Sequence, residues 1–184
     1  MKLRCTLPSM IRITTLVAIV CSTMVSQVYA EISEARNFYK FSDNILSSGQ
    51  PKQSHLESAS EDGLEVVINI VPSSEAIYNP REKEILEKQG IEYFHTPVNW
   101  KSPKESEIRS FLNAMDEVGD RKVLVHCWAN ARASALIHVY QMTQSSDNAE
   151  ARYTNLNKVW EEVAGYSLER NETWKNVIEQ YAVE

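Results

Sequence analysis

A cysteine and an arginine that could act together lie close to each other in the last third of this 184-residue chain. Cys127 and Arg132 are separated by four residues. A cysteine thiolate is a strong nucleophile, and a guanidinium group holds the oxygens of an anion through paired hydrogen bonds. The spacing therefore indicates nucleophilic attack by Cys127 on an oxyanion that Arg132 binds.

The residues on either side of this pair predict how it is positioned. The apolar run 123–126 is typical of a buried strand, and the apolar residues from 133 onward are typical of a central helix. Backbone N–H groups in the loop between them, together with the helix N-terminus, would form an anion site and stabilise a thiolate. The loop residues expected to contact substrate are Trp128, Ala129, Asn130, Ala131 and Arg132.

Each candidate has a plainer interpretation. Cys127 could be a buried structural thiol, because free cysteine packs as a small apolar residue. Arg132 could be a surface charge or an unfavourable residue at a helix start, because arginine near a helix N-terminus opposes the dipole. That placement makes sense if an anion lies between them. His126 is interpreted as a buried, hydrogen-bonded histidine that supports the cysteine and does not transfer protons.

Residues 1–30 differ in kind from the rest of the chain. They contain Lys2, Arg4 and Arg12, no acidic residue, and an apolar stretch too short for a membrane span. We expect a secretory signal peptide that is cleaved after Ala30, export to the bacterial periplasm, and no stable membrane association after cleavage. Residues 31–184 are expected to form a single domain.

Charge and cysteine content narrow the function of the exported part. Loss of three basic residues changes the formal net charge from −6 to −9, which argues against nucleic acid as a partner. Cys5 and Cys21 leave with the signal peptide, so Cys127 remains alone in an oxidising compartment. A lone thiol there must be buried or have a task.

Hydrophobic periodicity predicts strands alternating with helices. The predicted strands are 44–48, 66–71, 91–98 and 122–126, and the predicted helices are 53–62, 79–90, 102–119, 133–142, 148–164 and 170–182. This order indicates an α/β fold with a central, mainly parallel sheet flanked by helices and followed by C-terminal helices. Ligands of such sheets bind where strands end and helices begin.

The segment from His126 to Ser134 resembles the signature loop of cysteine-dependent phosphatases. Over residues 41–143 the chain is similar to bacterial dual-specificity and tyrosine phosphatase-like domains, including the beta-lactamase-hydrolase-like and NAD-kinase-fused forms. The segments that carry this likeness are 45–51, 66–70 and 93–100. The resemblance implies a phosphocysteine on Cys127, phosphate binding by Arg132, and a Ser134 hydroxyl that assists the departing thiolate.

Three departures from that pattern keep other functions open. The loop is one residue shorter than usual, as in rhodanese-type sulfurtransferases, which form a cysteine persulfide. Asn130 replaces the usual glycine, and asparagine tolerates left-handed backbone well. Asn99 stands where the family has an acidic proton donor, and the nearby Glu105 and Glu107 also suit the first turn of a helix. Besides a phosphatase and a sulfurtransferase, Asn99 and the missing glycine leave open a third function, a non-catalytic phosphate-binding module.

The expected substrates are phosphorylated proteins or small phosphate esters. Asn99 is expected to line the site, and Trp100 and Trp128 are either pocket walls or ordinary packing. Phosphotyrosine and other aryl phosphates are favoured, because a good leaving group needs a general acid least. No cofactor or metal is expected, since thiolate chemistry needs none and the histidines lack a ligand-like spacing.

Overall fold

The computed structural model of the protein describes residues 29–145 and 147–181. Most of the predicted signal peptide, residues 1–28, lies outside the described residues, so export and cleavage remain predictions.

Five strands form one sheet in the order β1-β2-β5-β3-β4. The strands are β1 (Tyr39–Lys40), β2 (Ile45–Ser48), β3 (Val66–Asn69), β4 (Glu92–His95) and β5 (Val123–His126). All neighbours are parallel except β1, which runs antiparallel to β2 at the edge. The predicted mainly parallel sheet is confirmed, and β1 is an edge strand of two residues that periodicity cannot detect.

Helices cover both faces of the sheet. They are α1 (Gln53–Glu57), α2 (Glu82–Glu87), α3 (Glu105–Val118), α4 (Ala131–Gln144), α5 (Ala149–Lys158) and α6 (Glu172–Tyr181), with a 3-10 helix at Ile32–Glu34 and a π-helix at Val159–Ala164. The predicted flanking and C-terminal helices are therefore confirmed, with shifted ends.

Two of those shifts have local causes. The helix predicted over 53–62 ends at Glu57, where the Ser58 hydroxyl lies 2.7 Å from the Ala30 carbonyl and 3.0 Å from the Ser54 carbonyl and competes with the helical pattern. The helix predicted from residue 79 begins at Glu82, because the Asn79 side chain accepts from the Arg81 N–H at 3.1 Å and forms a turn.

Alternating residues of the central strands enter two separate cores. Val123 and Val125 of β5 pack with α3, α4 and the C-terminal helices. Leu124 packs on the opposite face with α1, α2 and the 3-10 helix. This alternation explains the continuous apolar runs, since a strand covered on both faces has no solvent side. It also directs His126 and Cys127 to opposite faces of the sheet.

No helix within the described residues is long and apolar enough to cross a membrane.

Candidate active site

Cys127 is the first residue after β5, at the carboxyl edge of the sheet. Its side chain is 2% exposed, and its N–H donates to the Ser48 carbonyl at 3.2 Å. The loop 127–130 connects β5 to α4, whose first residue is Ala131. The sequence-predicted strand, loop and helix therefore place the thiol directly beside a helix N-terminus.

The loop carbonyls are fixed on its outer side. The Gln50 N–H donates to the Trp128 carbonyl, and the Asn37 side-chain amide donates to the Ala129 carbonyl, both at 3.0 Å. Because C=O and N–H point in opposite directions across a trans peptide, the Ala129 N–H points away from Gln50 and faces the concave side. The loop is thus a cradle of inward N–H groups, continued by the free N–H groups of the first turn of α4.

Two backbone features allow the short loop to close. Asn130 takes φ of 72°, the left-handed conformation that asparagine tolerates, and its side-chain amide donates to the Asn37 carbonyl at 2.7 Å. Gly49 packs so closely that an added Cβ would lie 2.6 Å from the Trp128 carbonyl oxygen. Only glycine fits at this contact without movement of the loop.

Arg132 is 3% exposed and has one edge of its guanidinium group occupied. Nη1 and Nη2 donate to the two carboxylate oxygens of Glu75 at 3.0 and 3.1 Å, and Nη1 also donates to the Val98 carbonyl. Nε is buried and has no partner. The Nε and Nη2 edge therefore remains open for a second bidentate anion, as a phosphate or sulfate-like group would supply.

A buried carboxylate holds the residue before the cysteine. Glu82, fully buried, lies 2.5 Å from His126 Nε2 through Oε1. Its Oε2 accepts from the side-chain amides of Asn69 at 3.1 Å and Gln50 at 3.4 Å. His126, which the sequence predicts to support the cysteine, therefore has a specific partner, Glu82, on the α2 face of the sheet.

A pocket of about 370 Å³ opens above the thiol. Cys127 and Arg132 lie at its base, with Glu75 beside them. The residues that line it are Pro72, Ser74, Glu75, Asn99, Trp100, Lys101, Cys127, Trp128, Ala129, Ala131, Arg132 and Tyr166. Of the sequence-predicted site residues, Asn130, Ser134 and His126 are buried behind this lining and the others are brought together in it.

The side chains near the expected position of the proton donor form hydrogen bonds to the backbone. Asn99 Oδ1 accepts from the Lys101 and Ser102 N–H groups at 2.9 and 3.0 Å. Glu107 caps α3 by accepting from the N–H groups of Asn99 and Lys104 at 3.1 and 3.0 Å. These contacts favour the interpretation of Glu107 as a helix-start carboxylate.

Glu105 and Ser134 are likewise held by local contacts. Glu105 pairs with Arg109 one turn along the exposed side of α3 at 2.5 Å, and it does not line the pocket. The buried Ser134 hydroxyl lies 2.8 Å from the Asn130 carbonyl and 3.0 Å from that of Ala131. The structure therefore holds Ser134 near the loop, with its hydroxyl turned to the backbone.

The C-terminal helices supply a wall of the pocket. Trp100 lies between Trp160 and Trp174, with ring centroids 5.8 and 5.4 Å away and near-parallel planes. Trp174 Nε1 donates to the Trp100 carbonyl at 3.0 Å. Tyr166, 40% exposed, packs 5.5 Å from Trp100 and lines the pocket. Trp160 and Trp174 are fully buried core residues, and Trp100 is both packed and pocket-lining.

Sequence reasoning missed several residues at this site, among them Glu75, Glu82 and Tyr166. Glu75 follows the end of β3, and the carboxyl edge of a parallel sheet is where ligand contacts collect, so its position carried a usable signal. Glu82 had the signature of an ordinary first-turn helix carboxylate. Nothing in the local pattern around Tyr166 links it to the loop at Cys127.

Within residues 29–145 and 147–181, no group of three His, Cys, Asp or Glu side chains is arranged to hold a metal ion.

Comparison with known proteins places this geometry in context. The chain is similar to a "putative phosphatase (DUF442)" from Shewanella putrefaciens CN-32, represented by two crystal structures. One is 32% identical, with a TM-score of 0.67 over 80% of this chain and 90% of that one. The other is 30% identical, with a TM-score of 0.69 over 82% of this chain and 93% of that one. No family model matches the chain.

Two further similarities are more distant. The catalytic core of the PP-IP phosphatase Siw14 from S. cerevisiae is 16% identical, with a TM-score of 0.62 over 80% of this chain and 86% of that one, and it shows the fold alone. A beta-lactamase hydrolase-like protein of Agrobacterium fabrum is 29% identical over 100 residues. That match covers 53% of this chain and 23% of the relative, so the chain corresponds to about a quarter of that protein.

Proposed function

This chain belongs to the DUF442 family of phosphatase-like proteins, and on that premise we propose that it hydrolyses phosphate monoesters through a phosphocysteine on Cys127. The fold and its neighbours support a phosphatase. One observation carries the specific proposal. The buried Arg132 Nε has no partner, and Arg132 lines the same pocket as the Cys127 thiol. A buried, unpaired guanidinium donor is costly unless an anion occupies the site.

Two displacement steps would follow from this geometry. The oxygens of the phosphate accept from the N–H groups of the cradle and from the open edge of Arg132. The Cys127 thiolate attacks phosphorus, the P–O bond to the leaving group breaks, and the alkoxide or phenoxide takes a proton from water. A second water then attacks the phosphocysteine, and inorganic phosphate leaves while the thiolate is restored. The Ser134 hydroxyl would assist that departing thiolate only after turning from the Asn130 and Ala131 carbonyls to the sulfur.

The pocket walls support aryl phosphates as the preferred substrates. Trp100, Trp128 and Tyr166 surround the space above the thiol, and aromatic rings stack on one another favourably. The carboxylate that lines the pocket, Glu75, is paired with Arg132. Without a dedicated proton donor, a phenoxide leaves more readily than an alkoxide.

Hydrolysis of para-nitrophenyl phosphate by the reduced protein tests the proposal. We expect turnover in the wild type, its loss in Cys127→Ser, and a fall of at least 100-fold in kcat/KM in Arg132→Ala, roughly the effect of removing one preorganised donor from a charged transition state. Trapping of a phosphorylated tryptic peptide 123–132 by acid quench would identify the intermediate. Equal turnover in Cys127→Ser would exclude Cys127 as the nucleophile.

Sulfur transfer is a second candidate, favoured by the four-residue spacing between Cys127 and Arg132. In this reaction the Cys127 thiolate would attack the outer sulfur of thiosulfate, release sulfite and become a persulfide. The outer sulfur would then pass to a thiol acceptor, which restores the thiolate. Incubation with thiosulfate followed by mass spectrometry of Cys127 decides between the two reactions. A persulfide together with no release of para-nitrophenol would favour sulfur transfer.

A non-catalytic phosphate-binding module would give a third pattern of assay results. Inorganic phosphate would then raise the Tm of the wild type while both reactions stay at background. A rise in Tm that is lost in Arg132→Ala would locate the bound phosphate at the open guanidinium edge.

A further inference from the structure

Glu82 is buried more completely than an ordinary helix-start carboxylate. It begins α2 and is 0% exposed, whereas its neighbours Lys83 and Glu84 have side chains that are 63% and 61% exposed. Burying an ionised carboxylate is costly unless it is paired and hydrogen-bonded. The side chains of His126, Asn69 and Gln50 hydrogen-bond to Glu82, and none of them belongs to α2. Glu82 is therefore held by the sheet edge and not by its own helix.

All three partners of Glu82 also support the cysteine loop or the strand ends beside it. His126 is the residue immediately before Cys127. Gln50 donates its side-chain amide to Glu82 and its backbone N–H to the Trp128 carbonyl. Asn69 is paired with His126 in the sheet register, and its Oδ1 accepts from the Val71 N–H at 2.8 Å. One carboxylate thus connects to the chain on both sides of the thiol.

The sheet separates this carboxylate from the pocket. His126 points to the α2 face and Cys127 to the pocket face, because successive residues of a strand alternate. Glu82 is absent from the pocket lining, so it does not reach a bound substrate. Any effect of Glu82 on the reaction must pass through His126, Gln50 or Asn69.

We propose that Glu82 is a positioning residue for the Cys127 nucleophile, and this inference rests on the phosphatase proposal for its kinetic readout. The carboxylate fixes the ring of His126 from the far face of the sheet. That contact sets the direction of the chain at Cys127 and keeps the thiol beneath the cradle of N–H groups. A 1 Å displacement of a reacting group lowers the rate by about 100-fold, so a fixed strand end has kinetic value.

The substitution Glu82→Gln tests this role because it keeps the shape and removes the charge. We expect kcat for para-nitrophenyl phosphate to fall at least 10-fold while KM changes less than 2-fold, since Arg132 and the loop N–H groups remain. Glu84→Gln, which removes an exposed partner of Lys88 in the same helix, is the matched control and should leave both constants unchanged.

A double-mutant cycle distinguishes positioning from stability. If Glu82 acts through His126, the double variant Glu82→Gln/His126→Asn should have the same kcat as His126→Asn alone. His126→Gln, which offers an amide donor near the position of Nε2, should retain more activity than His126→Leu. Additive losses in the cycle, or equal activity of His126→Gln and His126→Leu, would overturn the inference. The histidine comparison remains decisive if Glu82→Gln does not fold.

Alkylation of Cys127 decides the inference without any substrate. Iodoacetamide reacts with the thiolate, which the cradle stabilises only while the thiol lies beneath it. We expect the modification rate of peptide 123–132, followed by mass spectrometry, to fall at least 5-fold in Glu82→Gln. An unchanged rate would overturn the inference. A wild type that does not hydrolyse para-nitrophenyl phosphate would instead overturn the phosphatase proposal. The alkylation result would still decide the role of Glu82.

Discussion

Arg132 shows how one side chain serves two partners at the residue scale. Its Nη1 and Nη2 edge holds Glu75, and its Nε and Nη2 edge is open. Because the guanidinium fork is rigid, pairing one edge fixes the direction of the other. Glu75 thus orients the arginine, and the substrate need not compete for the occupied edge.

Glu75→Gln should weaken the orientation of Arg132. An amide provides one acceptor where the carboxylate provides two, and the ionic contribution is lost. We expect kcat/KM for para-nitrophenyl phosphate to fall about 10-fold, equivalent to about 1.4 kcal/mol. Glu105→Gln, which interrupts only an exposed ion pair on α3, should keep wild-type kinetics. Steady-state kinetics of the two variants side by side provide the measurement.

Gly49→Ala should displace the cysteine loop. The added methyl would lie 2.6 Å from the Trp128 carbonyl oxygen, closer than atoms pack, and that oxygen belongs to the loop backbone. We expect destabilisation of about 1–3 kcal/mol in urea unfolding, together with loss of turnover. The comparison variant is Gly90→Ala, where φ is 75° but no atom lies within 4 Å of the new methyl. It should lose stability and keep its activity.

The sequence predicts the reacting residues better than it predicts their supports. Cys127 and Arg132 combine a rare residue type with a spacing that has a chemical meaning. Glu82 and Glu75 are common residues that become informative only when the chain brings them to the sheet edge. Their contacts span 44 and 57 positions of the chain, so local patterns do not identify their partners, although the position of Glu75 after β3 places it near the sheet edge.

The C-terminal helices hold the loop that follows β4 in place. Trp100 is stacked between two tryptophans, and Asn99 forms a turn that is tied to the start of α3. Loops with many buried contacts open rarely. We therefore expect this loop to form a fixed wall of the pocket.

Trp174→Phe should loosen that wall. The change keeps an aromatic ring and removes the hydrogen bond from Nε1 to the Trp100 carbonyl. We expect trypsin to cleave after Lys101 several times faster than in the wild type, because cleavage requires local opening. Lys158→Ala, at an exposed pair within the C-terminal helices, should not alter the cleavage rate. Equal protection of Lys101 in Trp174→Phe would show that stacking alone holds the loop.

Prediction from sequence works well for the central elements and less well toward the C-terminus. Strands β3 and β5 are continuous apolar runs bounded by turn residues, so both their type and their position are readable. The segment 148–164 has helical periodicity throughout, yet its last turn, Val159–Ala164, is a π-helix. Periodicity over one turn does not distinguish the two helix types, and it is this turn that places Trp160 against Trp100.

At the scale of the whole molecule, a buried histidine links stability to pH. His138 of α4 is 3% exposed and faces Tyr153 of α5 at 6.2 Å. Burial, helped by the nearby Arg152 cation, lowers the pKa of His138 from 6.5 to about 4. Between these two values the unfolded chain binds a proton that the folded protein does not. The free energy of unfolding should therefore decrease as the pH falls from 6.5 to 4.

His138→Leu should reduce that dependence. His138 contributes a loss on the order of 3 kcal/mol between the two pH values, and an apolar side chain of similar size does not titrate. Urea unfolding at several pH values measures the slopes for the wild type and the variant. Parallel slopes over this range would show that His138 does not control the acid response.

The division of the site by the sheet also bears on how the protein could change over evolution. The walls that meet a substrate come from loops on one side, while the carboxylate and imidazole that support the strand end lie on the other. A library limited to Trp128 and Tyr166 could therefore search for new substrate scope without touching Glu82, His126 or the packed Trp100. Reactivity and selectivity would then be separately adjustable, which is the arrangement that a scaffold for new hydrolases requires.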